Sequence, residues 1–215
     1  MLLRLFPLQS VLFPGMRMPL HIFEDRYKTM IRDCIEDDAP FGVLLIRVGA
    51  EVGGAAVPYG IGTTARINQV EYLDDGRMNI FAMGERRFRI VRLDTSRDYL
   101  SGEVEYVEAA PVTEDARALL PPAHDLFNEY FRTYLALADQ WTRGVALPDD
   151  PGEAADYIAA RTDASAQLKQ QWLEELSPET RLRSQLEAIT EALPDMKLRL
   201  EVRLRQKTSG FGVLN

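Results

Sequence analysis

Few residues in this 215-residue chain are equipped for chemistry. It holds two histidines and one cysteine. His21 with Glu24 or Asp25 could form a metal pair, but a pair at a strand–helix junction is a weak ligand set. A structural histidine with hydrogen-bonded ring nitrogens is the expected role. His124, beside Asp125 in a helical stretch, is expected to face solvent. Cys34 lies on an apolar helical face with no histidine near it in sequence, so an inert buried thiol is expected. A lone cysteine also excludes an internal disulfide and a cysteine-based zinc site. Gly53-Gly54 is followed by neither a lysine nor a helix start, and no Gly-x-x-x-x-Gly-Lys-Ser/Thr run occurs. No catalytic residue, metal site or cofactor is therefore expected. The strongest basic feature is Arg86-Arg87-Phe88-Arg89, which could grip acidic peptide or RNA phosphate. As an alternating strand, it would instead point Arg87 and Arg89 to solvent and Phe88 and Ile90 inward. Glu174-Glu175 and Glu187/Glu191 read as solvated helix faces.

The bulk composition narrows the class. Hydrophobic residues make up 46% and charged residues 27%, an ordinary globular balance. A chain of this length buries roughly 70% of its unfolded surface, enough for one large domain or two small ones. The formal net charge of −8 disfavours nucleic-acid or anionic-membrane binding driven by excess Lys and Arg. Met1–Phe6 is too short for a signal sequence before Pro7, and no apolar run reaches transmembrane length. A cytoplasmic protein is the expectation.

The elements that must position these residues begin with a strand over Leu2–Phe6, expected to be buried on both faces. Pro14-Gly15 is a turn, and Met18, preceding Pro19, is extended. After Phe23, acidic Glu24 and Asp25 open a helix of about three turns, with Tyr27, Met30, Ile31, Cys34 and Ile35 on one face. Phe41–Val48 is a buried strand, and Ala50–Tyr59 a loop. Gly60–Tyr72 and Arg77–Met83 form a hairpin around Asp74-Asp75-Gly76. Gly84-Glu85 is expected to turn again, before strands over Arg86–Leu93 and Tyr99–Glu108. Short strands with tight turns favour a closed or nearly closed barrel.

From Pro111 onward the pattern is helical. Thr113 caps a first helix, and Pro121-Pro122 sits at the opening of another. An aromatic stripe from Leu126 through Phe127, Tyr130, Phe131, Tyr134 and Leu137 to Trp141 is expected to be core. Further helices start near Glu153, near Thr162–Ser165 and at Ser177-Pro178. Beyond Pro194, Leu198, Leu200, Val202 and Leu204 alternate strictly with charged residues, which predicts a strand. Gln206–Asn215 reads as a flexible tail in which Phe211, Val213 and Leu214 could dock.

Phe6-Pro7-Leu8, Val11-Leu12-Phe13-Pro14-Gly15 and Pro19-Leu20-His21-Ile22-Phe23-Glu24 with Arg26-Tyr27 closely resemble the start of the Lon protease amino-terminal, substrate-binding domain. That domain type also occurs in stand-alone bacterial proteins and in cereblon. The resemblance continues through Gly60-Ile61-Gly62-Thr63-Thr64-Ala65-Arg66-Ile67, Asp75-Gly76-Arg77 and Gly84-Glu85-Arg86-Arg87-Phe88-Arg89-Ile90. It extends into Ala155-Asp156-Tyr157-Ile158-Ala159 and Lys169-Gln170-Gln171-Trp172-Leu173-Glu174. It implies an α+β fold: a PUA-like β-pseudobarrel over residues 1–110, followed by an α-helical bundle over 111–215.

The resemblance carries over a binding domain and none of the ATPase or Ser-Lys peptidase modules from which Lon draws its hydrolysis. The function it implies is non-enzymatic recognition of unfolded or degron-bearing polypeptides, linked to proteolysis and protein quality control, with a separate protease as a further partner. Candidate contact residues are Phe23, Arg26 and Tyr27 at the strand–helix junction, with Arg86 and Arg87. The rival reading is a PUA-like RNA-binding module, which predicts a continuous positive stripe on the barrel. A small-molecule or hydrolytic site would need a deep pocket with converging polar groups.

Overall fold

The computed structural model describes residues 1–50 and 56–210. The Gly53-Gly54 loop tip and the tail residues Phe211, Val213 and Leu214 lie outside them. The chain forms two compact units: residues 1–109 with 163–176, and 110–162 with 177 onward. The helical sequence after residue 110 is thus not one block.

The first unit is built on seven strands, β1 (Leu2–Leu8), β2 (Arg17–Ile22), β3 (Phe41–Val48), β4 (Val57–Pro58), β5 (Ile61–Tyr72), β6 (Met78–Asp94) and β7 (Ser101–Tyr106). They follow the order β1-β7-β6-β5-β3, and β1 pairs again with β3 in parallel, so the sheet closes on itself. Closure removes edges that five separate strands would leave open. β2 adds to the first half of β6, and β4 adds to the end of β3. Helix α1 (Asp25–Glu36) opens after Glu24 with Asp25 in its first turn. Its apolar stripe, Tyr27, Met30, Ile31 and Cys34, is buried with Phe6, Leu8, Phe41 and Ile80. Leu3, Leu5, Leu44, Phe88 and Val104 make a second cluster. β1 therefore feeds apolar side chains to both faces, as alternation requires. Leu2 is the exception and is exposed.

Gly84 does not turn the chain. β6 runs unbroken for 17 residues, and Gly84 lies within it. A Cβ at Gly84 would stand 2.2 Å from the Phe13 carbonyl oxygen. The residue is glycine because the Leu12–Met16 loop crosses it, with Gly15 N–H donating to Gly84 O and Gly84 N–H donating to Met16 O, both at 2.9 Å. Gly76, at φ 77°, does supply the left-handed residue of the β5–β6 turn.

Arg87 also departs from expectation. Alternation points it to solvent, but it is only 6% exposed. Its Nε donates to the Leu173 carbonyl at 2.9 Å. Leu173 belongs to α5 (Ala166–Glu174), which Ser165 caps. Gln170 of α5 also donates to Ile61 O at 3.0 Å. A helix recruited from far along the chain covers what a lone strand would leave wet.

The second unit comprises α2 (Glu114–Ala118), α3 (Leu120–Leu137), α4 (Pro151–Arg161) and α6 (Pro178–Gly210). Thr113 accepts from Ala116 N–H, Asp150 accepts from Gly152 and Glu153 N–H, and Ser177 accepts from Thr180 N–H. Phe127 and Tyr130 of α3 are buried with Ile158, Leu182 and Ile189. The aromatic stripe does not reach Trp141. α3 ends at Leu137, Asp139 takes φ 58°, and Trp141 is 78% exposed.

The strand expected beyond Pro194 is also absent, because α6 continues through that proline to Gly210. The alternating apolar residues misled: Leu198, Val202 and Leu204 are exposed. Helical neighbours Leu193 and Met196 are buried instead, and Arg203 donates to Leu137 O at the end of α3. Contacts from α3 hold the tail of α6, and a proline already inside a supported helix does not end it.

Candidate functional site

The end of β1, the start of α1 and the β6–β7 loop meet around a cleft of about 160 Å³. Its walls include Pro7, Tyr27, Tyr99 and Leu100, with Arg26, Arg97 and Asp98 at its polar rim. Tyr27 is held from behind by the Phe6 ring, at 4.1 Å between centroids. Arg26 stacks over Tyr27 at 4.5 Å and donates from Nε to Glu24 at 3.1 Å. Arg97 donates to Tyr99 OH at 2.8 Å, and that hydroxyl donates to Asp33 Oδ2 at 2.8 Å. Two guanidinium groups are thus fixed against aromatic rings, each anchored by a hydrogen bond. Such a rim can orient a carbonyl or carboxylate while the aromatic wall receives an apolar side chain.

Phe23 stands just before α1, 47% exposed. His21 stacks on it at 5.9 Å. His21 Nδ1 lies 2.7 Å from Asn79 Oδ1, while Asn79 Nδ2 donates to Glu71 at 2.9 Å. Asn79 Oδ1 is therefore the acceptor, and the His21 proton sits on Nδ1. The ring is hydrogen-bonded as expected, though at the surface rather than packed within a turn. Glu24 is bound by Arg26 and Asp25 by Lys28, so neither joins His21. Among the described residues no group of three His, Cys, Asp or Glu side chains is arranged to hold a metal.

The structure brings Arg26 and Tyr27 together in the cleft and leaves Phe23 beside them in sequence. Arg86 and Arg87 are not part of its wall. Arg86 stacks over Tyr106 at 3.8 Å and pairs with Glu108 at 2.5 Å. Arg97 and Tyr99 escaped sequence reasoning; their only signal is a charged-aromatic run between two strands. Cys34 is buried, and burial raises its thiol pKa to about 11 from 9.0. The raised value means fewer thiolates at every pH below it. Alkylation at pH 8 is expected to run about 100-fold slower in the folded chain than in denaturant, before steric shielding is counted. Mass spectrometry over a time course measures it, and equal rates would refute it.

The closed barrel with its early helix defines a PUA-like fold. The chain belongs to the family of the ATP-dependent protease La (LON) substrate-binding domain, whose family model matches residues 3–191. It is 32% identical over 200 residues to Lon protease 2 of Myxococcus xanthus, covering 91% of this chain and 24% of that protein. The crystal structure of a Lon N-terminal domain protein from Xanthomonas campestris matches with TM-score 0.64 and 32% identity, over 87% of this chain and 98% of that one. The N-terminal domain of the Mycobacterium avium complex Lon protease shares the fold, with TM-score 0.69 and 21% identity over 88% and 98% of the two chains. The chain spans about a quarter of the length of the curated relatives it matches. No described helix is long and apolar enough to cross a membrane.

Proposed function

We propose that these residues recognise polypeptides, either unfolded segments or degradation signals, and contribute recognition rather than catalysis. In this reading the chain works in the cytoplasm and in the service of proteolysis and protein quality control, with a protease as the downstream partner. The observation that carries it is the cleft at the start of α1, where Arg26 and Arg97 are held on aromatic rings, with the exposed Phe23 three residues before Arg26 in sequence. An apolar side chain entering the cleft would bury against Tyr27 and Leu100, with its backbone carbonyl or a neighbouring carboxylate facing the guanidinium groups. Arg86 is a secondary contact. Arg87, buried and bonded to α5, has a structural part instead.

The rival RNA reading needs free cations along the barrel, and β6 offers neutralised ones. Arg89 lies opposite Glu105 and Arg92 opposite Glu103 in the β6–β7 ladder, with charged atoms 3.4 and 3.9 Å apart. Fluorescence anisotropy with a labelled, reduced and alkylated polypeptide tests the proposal. The double variant Phe23→Asp, Arg26→Glu is expected to weaken binding at least tenfold, about 1.4 kcal/mol. Arg26 bonds Glu24 and stacks over Tyr27, so the single variant Phe23→Asp, at an exposed position, is measured beside the double one, with circular dichroism to show that both are folded. Unchanged affinity in the variant, or displacement of the polypeptide by an RNA oligomer, would overturn the reading.

A further inference from the structure

Among the described residues, strand β5 has a long edge that no other strand pairs. β3 covers only Thr63–Ala65 of it. From Arg66 to Tyr72, β5 pairs with β6 on one side. On the other side, among the described residues, no strand or backbone hydrogen bond reaches it. In an antiparallel ladder, alternate residues aim N–H and C=O away from the partner strand. This edge therefore presents a row of ladder groups that another extended backbone can satisfy in series. The other open edges differ. β2 carries Pro19 within it, and β4 is two residues long and ends in Pro58. Proline removes the donor that pairing needs. β5 has no proline. Its register against β6 shifts twice, between Thr63 and Ala65 and between Ile67 and Gln69, after which Gln69–Tyr72 run in regular register with β6.

Beside this edge lies a groove of about 180 Å³. Cys34, Ile35 and Ala39 line it from the helix side, and Ile67 and Val70 from the strand. Arg66 and Asp38, 3.4 Å apart, stand at its rim. Ile35 is exposed, and the buried Cys34 contributes a neutral floor. Ile67 and Val70 sit opposite the core residues Ala82 and Ile80, so they face the inner side of the sheet. A strand added to β5 would set every second side chain over this groove.

We propose that the free edge of β5, Arg66–Tyr72, takes an extended polypeptide by strand addition and selects apolar side chains at alternate positions through the groove between α1 and β5. This rests on the polypeptide reading above and names the conformation and side-chain pattern recognised. Main-chain hydrogen bonds supply affinity that any extended sequence can use, and the groove supplies selection.

The test uses the full chain and a ten-residue peptide alternating valine with lysine and serine. Two further versions are N-methylated on alternate amides, one series on each edge of the peptide. Binding is read by anisotropy and by amide hydrogen exchange. The parent peptide is expected to slow exchange in Arg66–Tyr72. One methylated series should bind at least tenfold more weakly, and the other should bind like the parent. Ile35→Lys, a change at an exposed position, should weaken the parent at least tenfold. If the peptide binds but both methylated series bind alike, or protection falls on Phe23–Tyr27, the β5 assignment is overturned while polypeptide recognition stands. If neither the peptide nor the alkylated polypeptide binds, both proposals fall.

Discussion

Arg181→Ala should destabilise the helical unit by about 3–5 kcal/mol. Arg181 lies in the first turn of α6 and is 1% exposed. Its Nη1 stands 3.2 Å from Asp156 Oδ1, and its Nη2 donates to Gly152 O at 3.0 Å. Gly152 and Asp156 both belong to α4, so one guanidinium clamps two helices together. Truncation leaves the buried Asp156 carboxylate without the Arg181 counter-charge, where water reaches it only at a cost, and removes the bond to the Gly152 carbonyl. Arg181→Lys should recover only part of the loss, because an ammonium cannot span both acceptors in one plane. Replacing the pair together, Arg181→Met with Asp156→Leu, should cost far less than Arg181→Ala alone. Urea unfolding followed by far-ultraviolet circular dichroism measures all four proteins. A loss below 1 kcal/mol for Arg181→Ala would show that the pair contributes little.

Gly84→Ala should cost about 3 kcal/mol, at the upper end of the range for overpacking. The added methyl would meet the Phe13 carbonyl oxygen at 2.2 Å and its carbon at 3.0 Å. Both are backbone atoms, so no rotamer change relieves the clash. The loop must lift, and Phe13, fully buried, must leave its place. The two hydrogen bonds that tie the loop to β6 go with it. Gly60→Ala is the matched control, since a Cβ there meets nothing within 4 Å. Its expected effect is a few tenths of a kcal/mol in either direction. Similar losses for the two variants in denaturant unfolding would refute the close-approach account of Gly84.

These two positions also show how far the sequence reached. The continuous apolar run of β3, the spacing of Tyr27, Met30, Ile31 and Cys34, and the Asp75-Gly76 turn are local patterns, set by side-chain sequence and by φ at single residues. They are legible because the physics that produces them spans only a few neighbours. Gly84 was visible as special, but glycine serves both turns and close approaches. Only the path of the Leu12–Met16 loop, some 70 residues earlier, separates the two.

The failures elsewhere share that cause. Arg87 sits on a strand whose alternation is correct, yet α5 arrives from 86 residues away to cover the outer face and bond it. The tail of α6 alternates like a strand but takes its conformation from the end of α3, through Arg203 and the Leu137 carbonyl. The start of α1, with Phe23, Arg26 and Tyr27, stood out in the sequence as a candidate contact. Its companions Arg97 and Tyr99 did not, because nothing in a linear pattern states that the β6–β7 loop will lie against the end of β1.

Sequence alone determined the barrel-forming strands, the early helix and the chemical poverty of the chain in histidine and cysteine. Tertiary structure decided which arginines are buried, which strand edge is left open and which side chains share a cleft. Periodicity fixes the face a residue occupies within its own element, whereas exposure and neighbours depend on segments that the chain brings together only on folding.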